Sequence, residues 1–282
     1  MDSPLSALSD AQRDLLQSWL PDLRVVHDHS WGLVDNVVLE VEEAGRHFIV
    51  KADGEDTEHI PRELDAHEQW LAPWVDLGRA PRLVAGDRSA EILVTEYLPG
   101  HLVLGSDAQH NPDTFRQAGE LLAALHGQGG PTDSSYEARE NAKILRNLDK
   151  PHRISSGVET ELRRIVAGWP TDPVVLVPTH GDWQPRNWLA HEGRISIIDF
   201  GRAAMRPALS DWARLEARDF RDDPAHEAAF VEGYGADPRD PDAWFRERLR
   251  EAINTAVWAY LIGDESFEAQ GHEMIARVLN ES

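Results

Sequence analysis

The sequence predicts an α+β protein in two unequal lobes, a small antiparallel sheet (residues 1–97) leading into a larger, mainly helical part (residues 98–282). Three observations predict it. The 282 residues exceed one average domain and suffice for two cores. The first third is rich in short β-branched runs separated by turn residues, whereas most of the remainder carries apolar residues at helical spacing. A single short strand interrupts that helical part and runs straight into Asp199.

The elements follow in order. Ser9-Asp10 ahead of Ala11 to Leu20 reads as a capped amphipathic helix, with Leu15, Leu16, Trp19 and Leu20 on one side. Val37 to Val41 and Phe48 to Lys51 read as strands joined by Glu43-Ala44-Gly45-Arg46. Pro61 to Val75 reads as one helix carrying Leu64, Trp70 and Leu71, and two further strands, Arg82 to Ala85 and Ile92 to Tyr97, flank an Asp87-Arg88-Ser89 turn. Leu98-Pro99-Gly100 breaks the pattern and marks the passage between lobes. Beyond it, Asn111-Pro112-Asp113 opens a helix with Phe115, Ala118, Leu122 and Leu125 in register. Gly193 to Ile198 is the short strand. From Pro207 onward the chain is mostly helical, ending in an amphipathic stretch with Phe267, Met274, Ile275 and Val278.

Composition narrows the function. With 28 basic and 50 acidic residues the formal net charge is −22, which repels nucleic acid and anionic lipid and attracts cations. No apolar run reaches the length of a membrane span, and the chain has no cysteine, so disulfides, thiolate metal sites and a thiol nucleophile are excluded. The expectation is a cytoplasmic protein, a monomer or weak dimer, with neither nucleic acid nor membrane as partner.

The residues that carry chemistry cluster late in the chain. His180-Gly181-Asp182-Trp183-Gln184-Pro185-Arg186-Asn187 spaces His, Asp and Asn as H-x-D-x-x-x-x-N, and Asp199-Phe200-Gly201 follows twelve residues after the Asn. That is the spacing of a kinase catalytic loop and its metal-binding partner. A phosphoryl group concentrates negative charge, so Mg²⁺ must bridge the nucleotide phosphates on hard oxygen ligands. Asn187 and Asp199 supply those oxygens, leaving Asp182 to accept a proton from an attacking hydroxyl or to orient it. Lys51, at a strand end, and Glu63, twelve residues on in a helix, fit the strand-Lys and helix-Glu pair that grips nucleotide phosphates. Gly32, within Ser30 to Asn36, lies where a loop would cover those phosphates, but the segment holds one glycine and lacks the G-x-G-x-x-G pattern. Glu96, Tyr97 and Leu98 precede the inter-lobe break and are positioned to offer adenine a backbone donor and acceptor. His180 reads as a structural histidine bracing the loop rather than a zinc ligand. Asp211 binds loop amides, caps a helix, or does both. Arg186 faces either phosphate or solvent.

Together these residues resemble the aminoglycoside phosphotransferase and choline-kinase-like family of small-molecule kinases. The likeness runs through F-I-V-K (48–51), R-E (62–63), I-L-V-T-E-Y-L-P-G (92–100), L-L-A-A-L-H-G (121–127), T-H-G-D-W-Q-P-R-N-W-L (179–189), I-I-D-F-G-R-A (197–203) and L-S-D-W-A (209–213). The resemblance implies a two-lobed protein-kinase-like fold and transfer of the γ-phosphate of ATP, with GTP as the other candidate, to a small-molecule hydroxyl. It also implies that Asp182 is the catalytic carboxylate, that Asn187 and Asp199 hold Mg²⁺, and that Lys51 holds phosphate. Family members phosphorylate aminoglycosides, macrolides, tuberactinomycins such as viomycin and capreomycin, choline, homoserine and sugars. Glu216, Asp219, Asp222, Asp223, Glu265 and Glu268 crowd the helical part beside aromatic residues. They suggest a cationic antibiotic as acceptor, an aminoglycoside or a tuberactinomycin; a metabolic kinase and a non-catalytic nucleotide-binding protein are the alternatives.

Overall fold

The structure is a computed structural model that describes residues 4–30, 36–54 and 57–281. Helix α1 (Asp10–Trp19) starts as expected: the Ser9 hydroxyl accepts from the Gln12 amide while the Gln12 side chain accepts from the Ser9 amide. Strands β1 (Arg24–Asp28), β2 (Asn36–Glu43) and β3 (Arg46–Asp53) follow. Ala44 and Gly45, both at positive φ (49° and 76°), form the two-residue turn between β2 and β3, the twist that suits a tight hairpin. The predicted helix over 61–75 is two helices, α2 (His59–Gln69) and α3 (Ala72–Asp76). Pro73 is the reason, because it cannot donate to a preceding turn and is tolerated only near a helix start. Strands β4 (Leu83–Asp87) and β5 (Ile92–Glu96) complete an antiparallel sheet in the order β1-β2-β3-β5-β4.

Period-two alternation divides this sheet into two working faces. Leu39, Val41, Phe48, Val50, Ala52, Ile92 and Val94 point to one side and pack with Leu8, Leu16 and Leu20. Lys51, between Val50 and Ala52, sits opposite Leu93 on β5. On that second face α2 buries Ile60, Glu63 and Leu64, one helical stripe, with Ile60 and Leu64 packed against Leu93. The same stripe that anchors α2 therefore carries Glu63 toward Lys51.

Beyond Gly100 the chain pairs with the helical lobe: β6 (His101–Leu102) lies beside β10 (Trp188–His191), which forms a hairpin with β11 (Arg194–Ile197). Around it stand α4 (Pro112–His126), β7 (Thr132–Asp133), α5 (Tyr136–Leu148), α6 (Ser156–Ala167), β8 (Val174–Val175) and β9 (Val177–Thr179). Then come β12 (Ala204–Arg206), α7 (Leu209–Leu215), a π-helical turn over Glu216–Phe220, α8 (Pro224–Tyr234), α9 (Pro241–Ile262) and α10 (Glu265–Asn280). One core joins Phe115, Leu122, Trp183, Trp188, Phe200, Trp212 and Phe230. Trp74 of α3 enters that core, and its indole N–H donates to the Leu121 carbonyl at 3.0 Å, so α3 ties the sheet lobe to the helical one. A second core packs Leu249, Ile253 and Ala256 of α9 against Met274, Ile275 and Val278 of α10. Among the described residues no helix is long and apolar enough to cross a membrane.

Candidate active site

Lys51 is the point at which the two lobes meet chemically. Its Nζ lies 2.9 and 3.0 Å from the two carboxylate oxygens of Glu63 and 3.3 Å from Asp199 Oδ1. Burial alone would lower the Lys51 pKa, but Glu63 and Asp199 reverse that and raise it, so the ammonium stays charged. Asp199 is held below the usual carboxylate range, first by Lys51, against the opposing effect of burial. Its φ of 68° lies in the left-handed region, which a non-glycine residue enters at a cost. Here that conformation turns the carboxylate back toward Lys51. Phe200 is buried next to it, with ring contacts to His67, Trp74 and His180. His67 stays neutral because burial, with Lys51 nearby, pushes its pKa down to about 4.

The loop over residues 180–187 is held by Asp211. The Asp211 carboxylate accepts from the amides of His180 (2.8 Å) and Gly181 (2.7 Å) and from His126 Nε2 (3.2 Å). Tyr234 in turn meets His126 Nδ1 at 2.9 Å. Burial would raise the Asp211 pKa, but the His126 and Gly181 contacts keep it low. His180 Nδ1 accepts from the Asp182 amide at 3.2 Å, which places the ring proton on Nε2, 3.1 Å from the Ile198 carbonyl. Both ring nitrogens are thereby committed to bracing the loop. Among the described residues no group of three or more His, Cys, Asp or Glu could hold a metal. Gly181 has φ 78°, and a Cβ there would sit 2.1 Å from the Arg202 carbonyl oxygen, so only glycine fits this turn.

Asp182 is nearly fully buried, and its carboxylate is crowded with donors. Oδ1 accepts from Gln184 at 2.5 Å and from Arg214; Oδ2 accepts from Arg186 at 2.5 Å and from Asn187 Nδ2 at 3.0 Å. Burial would raise the pKa of this group, but Arg214, Arg186 and Arg202 hold it far below the ordinary carboxylate value. The Asn187 amide also donates to the Asp182 carbonyl at 2.8 Å. With Nδ2 spent on two acceptors, Oδ1 of Asn187 is turned away from them. An amide oxygen and a carboxylate, as Asn187 and Asp199 offer, are hard-oxygen donors of the kind that suits Mg²⁺. The Ile198 amide donates to the Asn187 carbonyl at 3.0 Å, which holds the segments bearing Asn187 and Asp199 together.

At the inter-lobe passage the Glu96 side chain pairs with Arg46 at 2.6 Å. The Glu96 and Tyr97 amides donate to the carbonyls of Arg82 and His47. Gly32 lies outside the described residues. The six carboxylates singled out in the helical part are mostly answered within the chain. Glu216 pairs with Arg248, Asp222 with Arg221, Glu265 and Glu268 with Arg153, and Asp223 caps α8 through the Ala225 amide. Asp219 is buried in the π-helical turn, where burial pushes its pKa up to about 6. Sequence reasoning missed His126, Arg202 and Arg214; His126 and Arg202 had a local signal, in the L-L-A-A-L-H-G and I-I-D-F-G-R-A runs, and Arg214 had none. It left Arg186 between phosphate and solvent, and the structure places it on Asp182.

A family model of phosphotransferase enzymes (APH) matches residues 29–248. The chain belongs to the phosphotransferase enzyme family. Solved structures of the same fold include choline kinase LicA from Streptococcus pneumoniae, 18% identical with a TM-score of 0.68, covering 97% of this chain and 100% of that one. A thermostable mutant of aminoglycoside phosphotransferase APH(4)-Ia with AMP-PNP and hygromycin B is 13% identical, with a TM-score of 0.67 and 96% and 98% coverage. Macrolide 2'-phosphotransferase MphH from Brachybacterium faecium is 16% identical, with a TM-score of 0.57 and 94% and 97% coverage. No curated protein matches the chain. The expected two-lobed, protein-kinase-like architecture is thus the fold of this phosphotransferase.

Proposed function

We propose that this phosphotransferase moves the γ-phosphate of ATP to a hydroxyl of a small molecule. The observation that carries the proposal is the Lys51 ammonium, which joins Glu63 of the sheet lobe to Asp199 of the helical lobe. A cation fixed at that junction, beside two hard-oxygen groups, matches the demands of a nucleotide triphosphate. Asn187 and Asp199 would hold Mg²⁺, which when bound would neutralise phosphate charge. The Glu96 and Tyr97 amides are engaged within the sheet lobe, so a donor contact to the base falls to the next amide, Leu98.

Transfer breaks the bond between the γ-phosphorus and the β,γ-bridging oxygen, whose electrons leave with ADP. It forms a bond between phosphorus and the acceptor oxygen, whose proton passes to Asp182 and then to solvent. In a loose transition state the nucleophile loses its proton late, so a strong base is not required. Asp182, with its depressed pKa, is accordingly an orienting carboxylate before it is a proton acceptor. The relatives of known structure include a choline kinase, a macrolide phosphotransferase and an enzyme holding hygromycin B, which span several acceptor chemistries. The cationic-antibiotic reading rested on six acidic residues, five of which have partners inside this chain. The test is coupled ADP release with ATP or GTP across aminoglycosides, macrolides, tuberactinomycins, choline, homoserine and sugars. Acceptor-dependent ADP release that is lost in Asp182→Ala supports the proposal; release unaffected by that substitution contradicts it.

A further inference from the structure

The carboxylate of Asp182 is full before any acceptor arrives. An ionised carboxylate offers about four lone-pair sites. On Oδ1 they are taken by Gln184 Nε2 at 2.5 Å and by Arg214; on Oδ2 by Arg186 at 2.5 Å and by Asn187 Nδ2 at 3.0 Å. A hydroxyl that Asp182 is to orient therefore takes the place of one of these donors. The four differ in what their departure costs. Arg214 and Arg186 are cations, and moving either away breaks an ion pair of a carboxylate whose residue is 2% exposed. Arg214 is also held from the other side, its Nε 3.3 Å from Glu251. Asn187 Nδ2 is tied a second time, to the Asp182 carbonyl at 2.8 Å. Gln184 is neutral. Exchanging its N–H for an O–H leaves the charge around Asp182 unchanged and the oxygen still answered.

The local structure lets that side chain move alone. Its neighbours Trp183 and Pro185 are both buried, and the Asn187 amide donates to the Gln184 carbonyl at 2.9 Å, so the backbone at 184 is fixed. The Gln184 side chain is half-buried, and among the described residues its carboxamide meets no group other than Asp182 Oδ1.

We propose that Gln184 holds the acceptor's place: its carboxamide occupies Asp182 Oδ1 until the acceptor hydroxyl displaces it, and so keeps water from the position of the nucleophile. Asp182 orients water as readily as an alcohol. With water there, its oxygen would bond to the γ-phosphorus, the β,γ-bridging oxygen would leave with ADP, and one water proton would pass to Asp182 and then to solvent. ATP would be hydrolysed with no acceptor phosphorylated. A carboxamide nitrogen cannot play that part, because its lone pair is delocalised into the carbonyl. Gln184 acts through Asp182 and is a positioning residue. The inference rests on the kinase reading above.

The test needs no acceptor: steady-state ADP release from Mg-ATP by the wild type, by Gln184→Ala, and by Gln184→Asn, which keeps the carboxamide but stops one methylene short. Acceptor-independent release should rise on the order of tenfold in both variants, the worth of about one hydrogen bond competing for Oδ1. Their affinity for Mg-ATP in titration calorimetry should stay within about threefold of the wild type. In Gln184→Ala combined with Asp182→Asn the gain should disappear, because no carboxylate is left to orient the water. A side chain with a merely structural role would lower the rate on replacement rather than raise it. Release at or below the wild-type rate in both variants overturns the inference, as does loss of Mg-ATP binding in both, or a gain that survives Asp182→Asn. Failure of the wild type itself to bind Mg-ATP strikes the kinase reading instead, a result that the variants alone do not produce.

Discussion

Asp211→Asn probes the support of the catalytic loop without changing its volume. In the wild type a buried carboxylate accepts from two backbone amides and from His126. An asparagine keeps one acceptor oxygen and turns an NH₂ toward the remaining donors. One charge-assisted bond is lost, at about 1.5–3 kcal/mol, and one buried donor is left unanswered, at about 1–3 kcal/mol. The expected loss is therefore roughly 3–5 kcal/mol, a large part of a typical folding stability of about 5–15 kcal/mol. Urea denaturation followed by tryptophan fluorescence measures it, and the buried Trp183 and Trp212 make the signal report on this region. The pH dependence has a definite sign. The folded pKa of Asp211 is depressed, so its contribution is present above the unfolded value of about 3.9 and is lost as pH falls through the lower folded value. The gap between wild type and Asp211→Asn should be full at pH 7 and close on strong acidification. Turnover should fall on the order of 10²-fold, because a displaced loop misplaces Asp182. A gap below about 1 kcal/mol at pH 7, where these bonds predict roughly 3–5, would refute the reasoning.

Asp219→Asn should act in the opposite sense: burial raises the wild-type pKa to about 6, so the protein loses stability as pH rises from about 4 to about 6. Urea midpoints should show this variant gaining on wild type at pH 8 and not at pH 4; equal midpoints at both would count against an ionised buried carboxylate. Gly119→Ala should cost several kcal/mol or prevent folding, because its Cβ would lie 2.2 Å from the Phe230 carbonyl oxygen where α4 crosses α8; thermal unfolding at the wild-type temperature would show the helices part easily. Lys51→Met and Glu63→Gln should each weaken ATP binding about tenfold, and the double variant no more than either alone, as residues acting through one ion pair do. Fully additive losses in calorimetric titrations would mean the two side chains act separately.

The loop motif was legible because its members lie within one short stretch and answer to one chemistry. Lys51 and Glu63 were legible only through that motif: a strand-end Lys and a helical Glu twelve residues on are ordinary surface residues until a phosphate-handling loop downstream calls for such a pair. The break at Pro73 was present in the sequence but was outweighed by the apolar spacing that ran across it. What lay beyond reach was partner choice. Glu268 looks like an open acidic group until Arg153, more than a hundred residues earlier, meets it at 3.2 Å. Arg214 is one charged residue on a helix until the fold lays it over Asp182. Charge pairing across such separations depends on tertiary packing, which residue spacing does not encode.

The central claim is that Lys51, Asn187 and Asp199 form a Mg-nucleotide site. Calorimetric titration of ATP into the wild type and Asp199→Ala, each with Mg²⁺ and with EDTA, tests it most directly. The account predicts binding to the wild type that is strongly strengthened by Mg²⁺, and an Asp199→Ala variant that remains folded but loses most of that strengthening. Equal affinity for ATP with Mg²⁺ and with EDTA in the wild type, or a Mg²⁺ effect undiminished in Asp199→Ala, would contradict it.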